Sequence, residues 1–419
     1  MSFTINRIWH HPVILFTVIL PATMVRTGSA ESLPATGVIS SGRTITHAQE
    51  LWHAPLSGTP SRLITGSKFL NIATGSTVLA ISMASGAKVW QHDLTDRISM
   101  VPLANETAPG PLILLAPVPT ESLLLVGVSR GNSGHVVALD QKTGKIVWDF
   151  DAGVSKQTGD DDTKGLILSP PIIWKDRAVF RTGLGLTAVS VANGKEIWNV
   201  PMDANSPVPF QPNAMPVSDN HAIYFNSDFG IAYAFDPRNG TKLWSYMNDG
   251  LQISNFLNTH KISFTYTWCQ PLISSGRLYI SDGLGNAYAL NATSGALVWK
   301  TKPGYIYQFS EYRNGVYIAT ENGFSELDAA SGKTLRSIKI SGGILQNIMF
   351  KNSYAILGST ASGWQVVDLE KWKIISSDPE FNPVFGIALS GSTLLLEGAP
   401  QSSPDQGELL ALNIETAIH

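Results

Sequence analysis

Three sets of side chains in this sequence have the types and spacing to do chemistry. The carboxylates Asp228, Asp282 and Glu321 each end an apolar alternating run. Paired carboxylates do acid and base work when burial raises one pKa above the other. Cys269 would act as a nucleophile with a histidine beside it, yet the nearest in sequence is His260 and no thiol-enzyme signature surrounds it. The run Asp160 to Asp162 offers oxygen ligands to calcium, but such a loop needs spaced ligands and an acidic residue at its twelfth place, where this chain has Pro171. Plainer roles stand against two of these sets: turn architecture for the carboxylates and small-residue packing for the thiol.

Other motif-like strings fail on context. Gly127-Val128-Ser129-Arg130-Gly131 has the spacing of a nucleophile elbow, and Gly183 to Ala188 that of a dinucleotide fingerprint. Both motifs need a strand, a turn and a helix, whereas here each runs into a β-hairpin. The histidines outside the leader form no spaced pair that suggests zinc, so no metal is predicted.

The elements that must position these groups are repeats. An eleven-residue unit with a small residue first, Gly seventh and Trp last recurs as Ala80 to Trp90, Ala138 to Trp148, Ala188 to Trp198, Ala234 to Trp244 and Ala289 to Trp299. Two weaker copies keep the frame: Glu326 to Arg336 retains Gly332, and Val366 to Ser376 retains Asp368. Each unit reads as a β-hairpin, alternating into a turn where Asp or Asn at the third place accepts backbone N–H groups and Gly supplies positive φ. Gly86, Gly144, Gly194, Gly240, Gly295 and Gly332 hold that place. Trp90, Trp148, Trp198, Trp244 and Trp299 are expected to fill seams between neighbouring units.

Two further short strands precede each hairpin, as in Pro271 to Asp282, and four strands per repeat make a propeller blade. The frames begin near 42, 80, 138, 188, 234, 289, 326, 366 and 411, giving eight intervals and hence an all-β, eight-bladed propeller. Trp52 lies in a strand with no hairpin partner, and Leu409 to Asn413 is a partner strand with no Trp after it. Pairing the two predicts a ring closed by its own ends, with no open sheet edge.

These units resemble the tryptophan-docking repeats of the PQQ-like propeller superfamily, whose pattern Ala-x-Asp-x-x-Thr-Gly-Lys-x-x-Trp is met in full by Ala138 to Trp148. Within it the layout is similar to the BamB branch of outer-membrane assembly propellers, although the cysteine that branch carries after its leader is missing here. The resemblance implies a binding scaffold. The dehydrogenase branch implies PQQ with calcium beneath a vicinal disulfide, which the single cysteine of this chain cannot form. No cofactor is therefore expected.

Composition excludes several classes. Charged residues make up 15% and the formal net charge is −3, so no basic field attracts nucleic acid. Residues 1–30 read as a secretory signal, with Arg7, an apolar run from Val13 to Leu20, and small residues up to a cleavage site after Ala30. That run is too short to span a bilayer, and no later segment qualifies. A linker at 31–46, a propeller at 47–414 and a tail at 415–419 complete the division, with the mature chain periplasmic or secreted.

Loops joining successive blades, and those joining second to third strands, share one face of a propeller. The insertions Leu94 to Pro111, Asp151 to Gly165 and Met247 to Phe264 should project there. Arg181, Asn213, Trp268 and Gln270 are expected to line a funnel on that face for another envelope or exported protein. The competing expectation is an enzyme using the same funnel, either a PQQ-type dehydrogenase or a hydrolase of a small sulfur oxyanion such as tetrathionate.

Overall fold

The repeat turn is built from its third residue. In the second blade Asp140 Oδ1 accepts the N–H groups of Lys142 and Thr143 at 3.1 and 2.8 Å, and Gly144 returns its N–H to the Asp140 carbonyl at 2.8 Å. Gly144 closes the turn at φ 69°. Asn291 and Asp328 accept from their turns in the same way.

The computed structural model describes residues 48–56, 64–65, 69–97, 112–130, 133–154, 166–183, 185–201, 216–226, 231–247, 269–282, 284–340, 345–359, 362–400 and 407–418. Among them the strands form eight antiparallel sheets, the blades of a β-propeller. Blades 1 to 7 span 64–93, 113–154, 172–201, 217–247, 272–301, 306–339 and 345–378. Blade 8 takes its first three strands from 381–413 and its fourth from Gln49–Pro55. Strands are lettered A to D in the order of pairing, with D at the rim. In blade 2 two short segments, Ile113–Leu114 and Val118–Pro119, share the place of strand A.

Every blade carries the same irregularity on strand D. The first residue of the repeat pairs with the eleventh and the second with the ninth, so the tenth bulges out, as in Ala138 with Trp148 and Leu139 with Ile146. In the closing blade Trp52 pairs with Ala411 and Glu50 with Leu412, leaving Leu51 as the bulged residue. The bulged side chain is an exposed aliphatic in all eight blades: Leu51, Val89, Val147, Ile197, Leu243, Val298, Leu335 and Ile375. A bulge adds local twist, which spoils the rim strand as a template for another sheet edge.

The eleventh residue locks each blade to the next. Trp52, Trp90, Trp148, Trp198, Trp244 and Trp299 lie over Gly86, Gly144, Gly194, Gly240, Gly295 and Gly332 of the following blade, so closely that a Cβ on each glycine would sit 2.5–2.8 Å from the indole. Each indole N–H also donates to the carbonyl of the following blade's fourth repeat residue, at 2.8–3.1 Å. Glycine is therefore required twice, for its φ and for its missing side chain.

Two seams depart from this rule. Between blades 6 and 7 the roles are inverted: Trp372 stands in the glycine place at φ 52°, and Arg336 stands in the tryptophan place with its guanidinium 4.6 Å from the Trp372 ring centroid. Arg336 Nη1 donates to the Leu369 carbonyl at 2.8 Å, the same acceptor an indole would use, and Nε donates to Glu326 Oε2 at 2.8 Å. Between blades 7 and 8 the eleventh residue is Ser376, while a displaced tryptophan, Trp364 of strand C, is fully buried in that seam.

The ring closes as the termini suggest, by Gln49–Pro55 pairing with Glu408–Asn413. Glu415–Ile418, within the expected tail at 415–419, forms one helical turn that buries Ala417 in the seam of blades 7 and 8. Among the described residues no helix is long and apolar enough to cross a membrane. The leader at 1–30 and the linker at 31–46 lie outside the described residues.

Candidate binding face

Turns between strands B and C and connections from D to the next A emerge on one face of the ring. The residue of strand B that pairs two places before the repeat occupies the same rung in every blade: Ala73, Gly127, Arg181, Asn226, Ser281, Ala319, Gly358 and Glu397. Four of these are polar, and all four are buried at 7% exposure or less. Arg181 was expected at the funnel. Asn226, Ser281 and Glu397 were missed, although aligning strand B on the repeat frame would have found them.

The polar rung is wired between blades 4 and 5. Asn226 Nδ2 donates to the Ser281 carbonyl at 2.9 Å. Ser281 is followed by Asp282, which is 1% exposed and works as the organiser of its turn. Its Oδ1 accepts from Leu284 N and Asn286 N at 2.9 and 3.0 Å, and its Oδ2 from Asn286 Nδ2 and Tyr288 Oη at 2.7 Å each. With four donors aimed at it, this carboxylate has no lone pair turned to solvent.

Cys269 lies beside the same rung. Burial pushes its thiol up to about 12, against weaker opposing help from Ser281 and the Phe309 backbone. A thiol held protonated at neutral pH is a packing group, since the thiolate is the nucleophile. Gln270 follows it, and its carbonyl lies 3.6 Å from Cys269 Sγ. Glu321, in the B–C turn of blade 6, is exposed; its Oε1 accepts from Asn322 Nδ2 at 3.3 Å. That oxygen lies beside Gly304, whose φ of 109° favours glycine there. Burial, and then Glu321, raise the phenol of Tyr307 nearby.

Glu397 on the rung of blade 8 is different in kind. It is fully buried, neither carboxylate oxygen has a hydrogen-bond partner among the described residues, and burial pushes its pKa well above the usual carboxylate range. Asn213, Asp228, Trp268 and the Asp160 to Asp162 run lie outside the described residues, as do 98–111, 155–165 and 248–264 of the insertions. The structure thus brings Cys269, Gln270 and Asp282 together in blade 5 and places Arg181 and Glu321 in blades 3 and 6. Among the described residues no three His, Cys, Asp or Glu side chains gather as a metal site.

A ring of eight blades, seven of them stapled to the next by an indole or a guanidinium plane at the same repeat position, defines a tryptophan-docked propeller of the quinoprotein type. The family model described as outer membrane protein assembly factor BamB matches residues 74–338 and, in a second frame, 228–416, and the chain belongs to that family. Overlapping matches are what a repeat produces, since one blade can align on its neighbour.

Among curated relatives, an outer membrane protein assembly factor BamB of Legionella pneumophila is 26% identical over 229 residues, 53% of this chain and 52% of that protein. A tetrathionate hydrolase of Acidithiobacillus ferrooxidans is 33% identical over 97 residues, 22% of this chain and 16% of that protein. The chain therefore spans about half or less of these relatives. Among solved structures, BamB from Moraxella catarrhalis superposes with a TM-score of 0.61 at 16% identity, covering 87% of this chain and 99% of that one. This last likeness is one of fold.

Proposed function

We infer that the protein is an exported propeller scaffold that binds another envelope protein and serves outer-membrane protein assembly. The family match across residues 74–416 carries this reading. Two features of the face support binding over catalysis: the Asp282 carboxylate is consumed by its own turn, and the Cys269 thiol is held protonated. The secretory pattern of residues 1–30 supports export to the periplasm. The binding surface in this reading is the face of the B–C turns and the blade-to-blade insertions. No quinone or calcium belongs to it, because a vicinal disulfide needs two cysteines and this chain has one.

The test is in the native host. Crosslinking of the full chain in cells is expected to capture an envelope protein, and deletion of the gene to lower the level of folded outer-membrane proteins. Recovery of no envelope partner together with an unaltered outer-membrane profile would refute it.

The match to a tetrathionate hydrolase favours a second reading, hydrolysis of a small sulfur oxyanion in the same funnel. Purified protein turning over tetrathionate, with loss of turnover in Glu321→Ala or Asp228→Ala, would establish it in place of the first.

A further inference from the structure

On the face used in the proposed function, the B–C turns of blades 5 and 6 interlock with the connection between these blades. Gly304 N donates to the Gly285 carbonyl at 3.2 Å, and Glu321 N to the Tyr305 carbonyl at 3.2 Å. Gly285, at φ 81°, packs so closely that a Cβ there would sit 3.0 Å from the Gly304 backbone. Strand A of blade 6, Ile306–Tyr312, carries a bulge at this level: Ile306 pairs with Thr320 and Gln308 with Ala319, which leaves Tyr307 out of the ladder. A bulge re-aims the side chain it carries. Tyr307 is half-buried here, and Glu321 beyond Thr320 is exposed.

Both groups have bonding capacity left. Among the described residues nothing hydrogen-bonds the Tyr307 hydroxyl, and the Glu321 carboxylate receives only the 3.3 Å bond from Asn322 Nδ2. No described lysine or arginine forms an ion pair with Glu321; Lys302 in the connection and Lys339, opposite Gly323 on strand D, are exposed and make no such contact. Burial, then the Glu321 charge and then Tyr305, raise the Tyr307 phenol, so the three side chains converge on one spot. A carboxylate and a phenol oxygen are both acceptors, and a group that bridges them must bring several N–H donors and a positive charge. A guanidinium does both: its planar fork meets a carboxylate with paired bonds, keeps a donor for the phenol oxygen and stacks on an aromatic ring.

We propose that Tyr307 and Glu321 seat an arginine side chain of the partner polypeptide, with Tyr305 beside it. The inference rests on the reading of this face as the surface that binds a partner. Because the backbone of the seat is already held by blade-to-blade bonds, little ordering is left to the binding step. A lysine ammonium has no plane to lay on a tyrosine ring and no fork to match the carboxylate, so it fits the same seat less well.

The test uses the full chain without its leader and the probe acetyl-Gly-Arg-Gly-amide, with citrulline in place of arginine as the uncharged control. NMR titration of ring-labelled tyrosine is expected to show saturable shifts at Tyr307 with the arginine peptide and about fivefold weaker binding of the control. Glu321→Gln and Tyr307→Phe, both conservative in shape, should each weaken the arginine peptide by about threefold, while Lys142→Ala in a C–D turn on the opposite face leaves it unchanged. Equal binding of the two peptides, or binding that neither variant weakens, would overturn the seat. In cells, Glu321→Arg, at an exposed position, should lose the envelope partner that the natural chain captures by crosslinking. A partner captured equally by both chains would overturn the proposal and leave the scaffold reading standing. A natural chain that binds the peptide but captures no partner would instead count against the scaffold reading, and with it against a partner's arginine.

Discussion

At the scale of single residues, burial decides what a side chain can do more firmly than its chemical type does. Asp282 follows strand B of blade 5 and Glu397 lies in strand B of blade 8; both are buried, yet among the described residues one is met by four donors and the other by none. Glu397 shares its strand face with Leu395, which packs against Leu70 and Ile72 of blade 1. The facing strands Phe69–Thr74 and Thr77–Ser82 contain no ionisable residue. A carboxyl there keeps its proton, so the folded chain binds a proton that the unfolded chain releases above the ordinary glutamate value of 4.5. Stability from this group is complete below that pH and falls as pH rises toward the higher folded value. Glu397→Gln, which cannot ionise, should therefore match the natural chain in thermal melts at pH 4 and exceed it at pH 8. Parallel melting curves at both pH values would show that Glu397 finds a partner.

At the scale of the element, the unit of stability is the seam between two blades, because each tryptophan spends its contacts on the hairpin of the next repeat. Replacing a buried Trp by Ala costs about 3–5 kcal/mol, and Trp148→Ala should fall in that range because it loses the contact with Gly194 and the bond to the Val191 carbonyl together. The inverted seam makes a sharper case. Arg336→Trp alone sets an indole against the Trp372 ring, and Trp372→Gly alone removes the surface on which the guanidinium lies. The double variant recreates the pairing used in six other seams. Denaturant unfolding of the four forms should give two destabilised single variants and a double variant better than their sum by more than about 1 kcal/mol, the coupling that contacting residues show. Additive losses would mean that the two positions are not a docked pair.

At the scale of the whole molecule, the repeat frame was readable because six blades share one local turn, with Asp, Asn or Ser at its third place and Gly at positive φ at its seventh. What that frame could not reveal are relations between blades. Nothing local in Val366 to Ser376 announces that Trp372 has traded roles with Arg336 of the preceding blade, nor that the following seam packs Trp364 with Ala417 of a helical turn at the other end of the chain. The candidate face was readable in part for the same reason: Arg181 and Asp282 stood out by type, whereas the rung joining Asn226, Ser281 and Glu397 exists only once eight sheets stand in a ring. Ring closure is the relation on which all the others depend. Trp52 lies on Gly86, donates to the Met83 carbonyl at 3.1 Å and pairs through its strand with Ala411, so one residue joins the last blade to itself and to the first. Cutting away residues 1–56 would expose Glu408–Asn413 as an open sheet edge and leave the apolar cluster of Leu70, Leu79, Leu395 and Leu409 without the indole that covers it. The shortened chain should aggregate on purification, and a synthetic peptide of residues 47–57 added during refolding should restore monomeric protein, whereas the same peptide with Trp52→Ala should not. A shortened chain that stays monomeric, with an unchanged melting temperature, would mean that the ring does not need its staple.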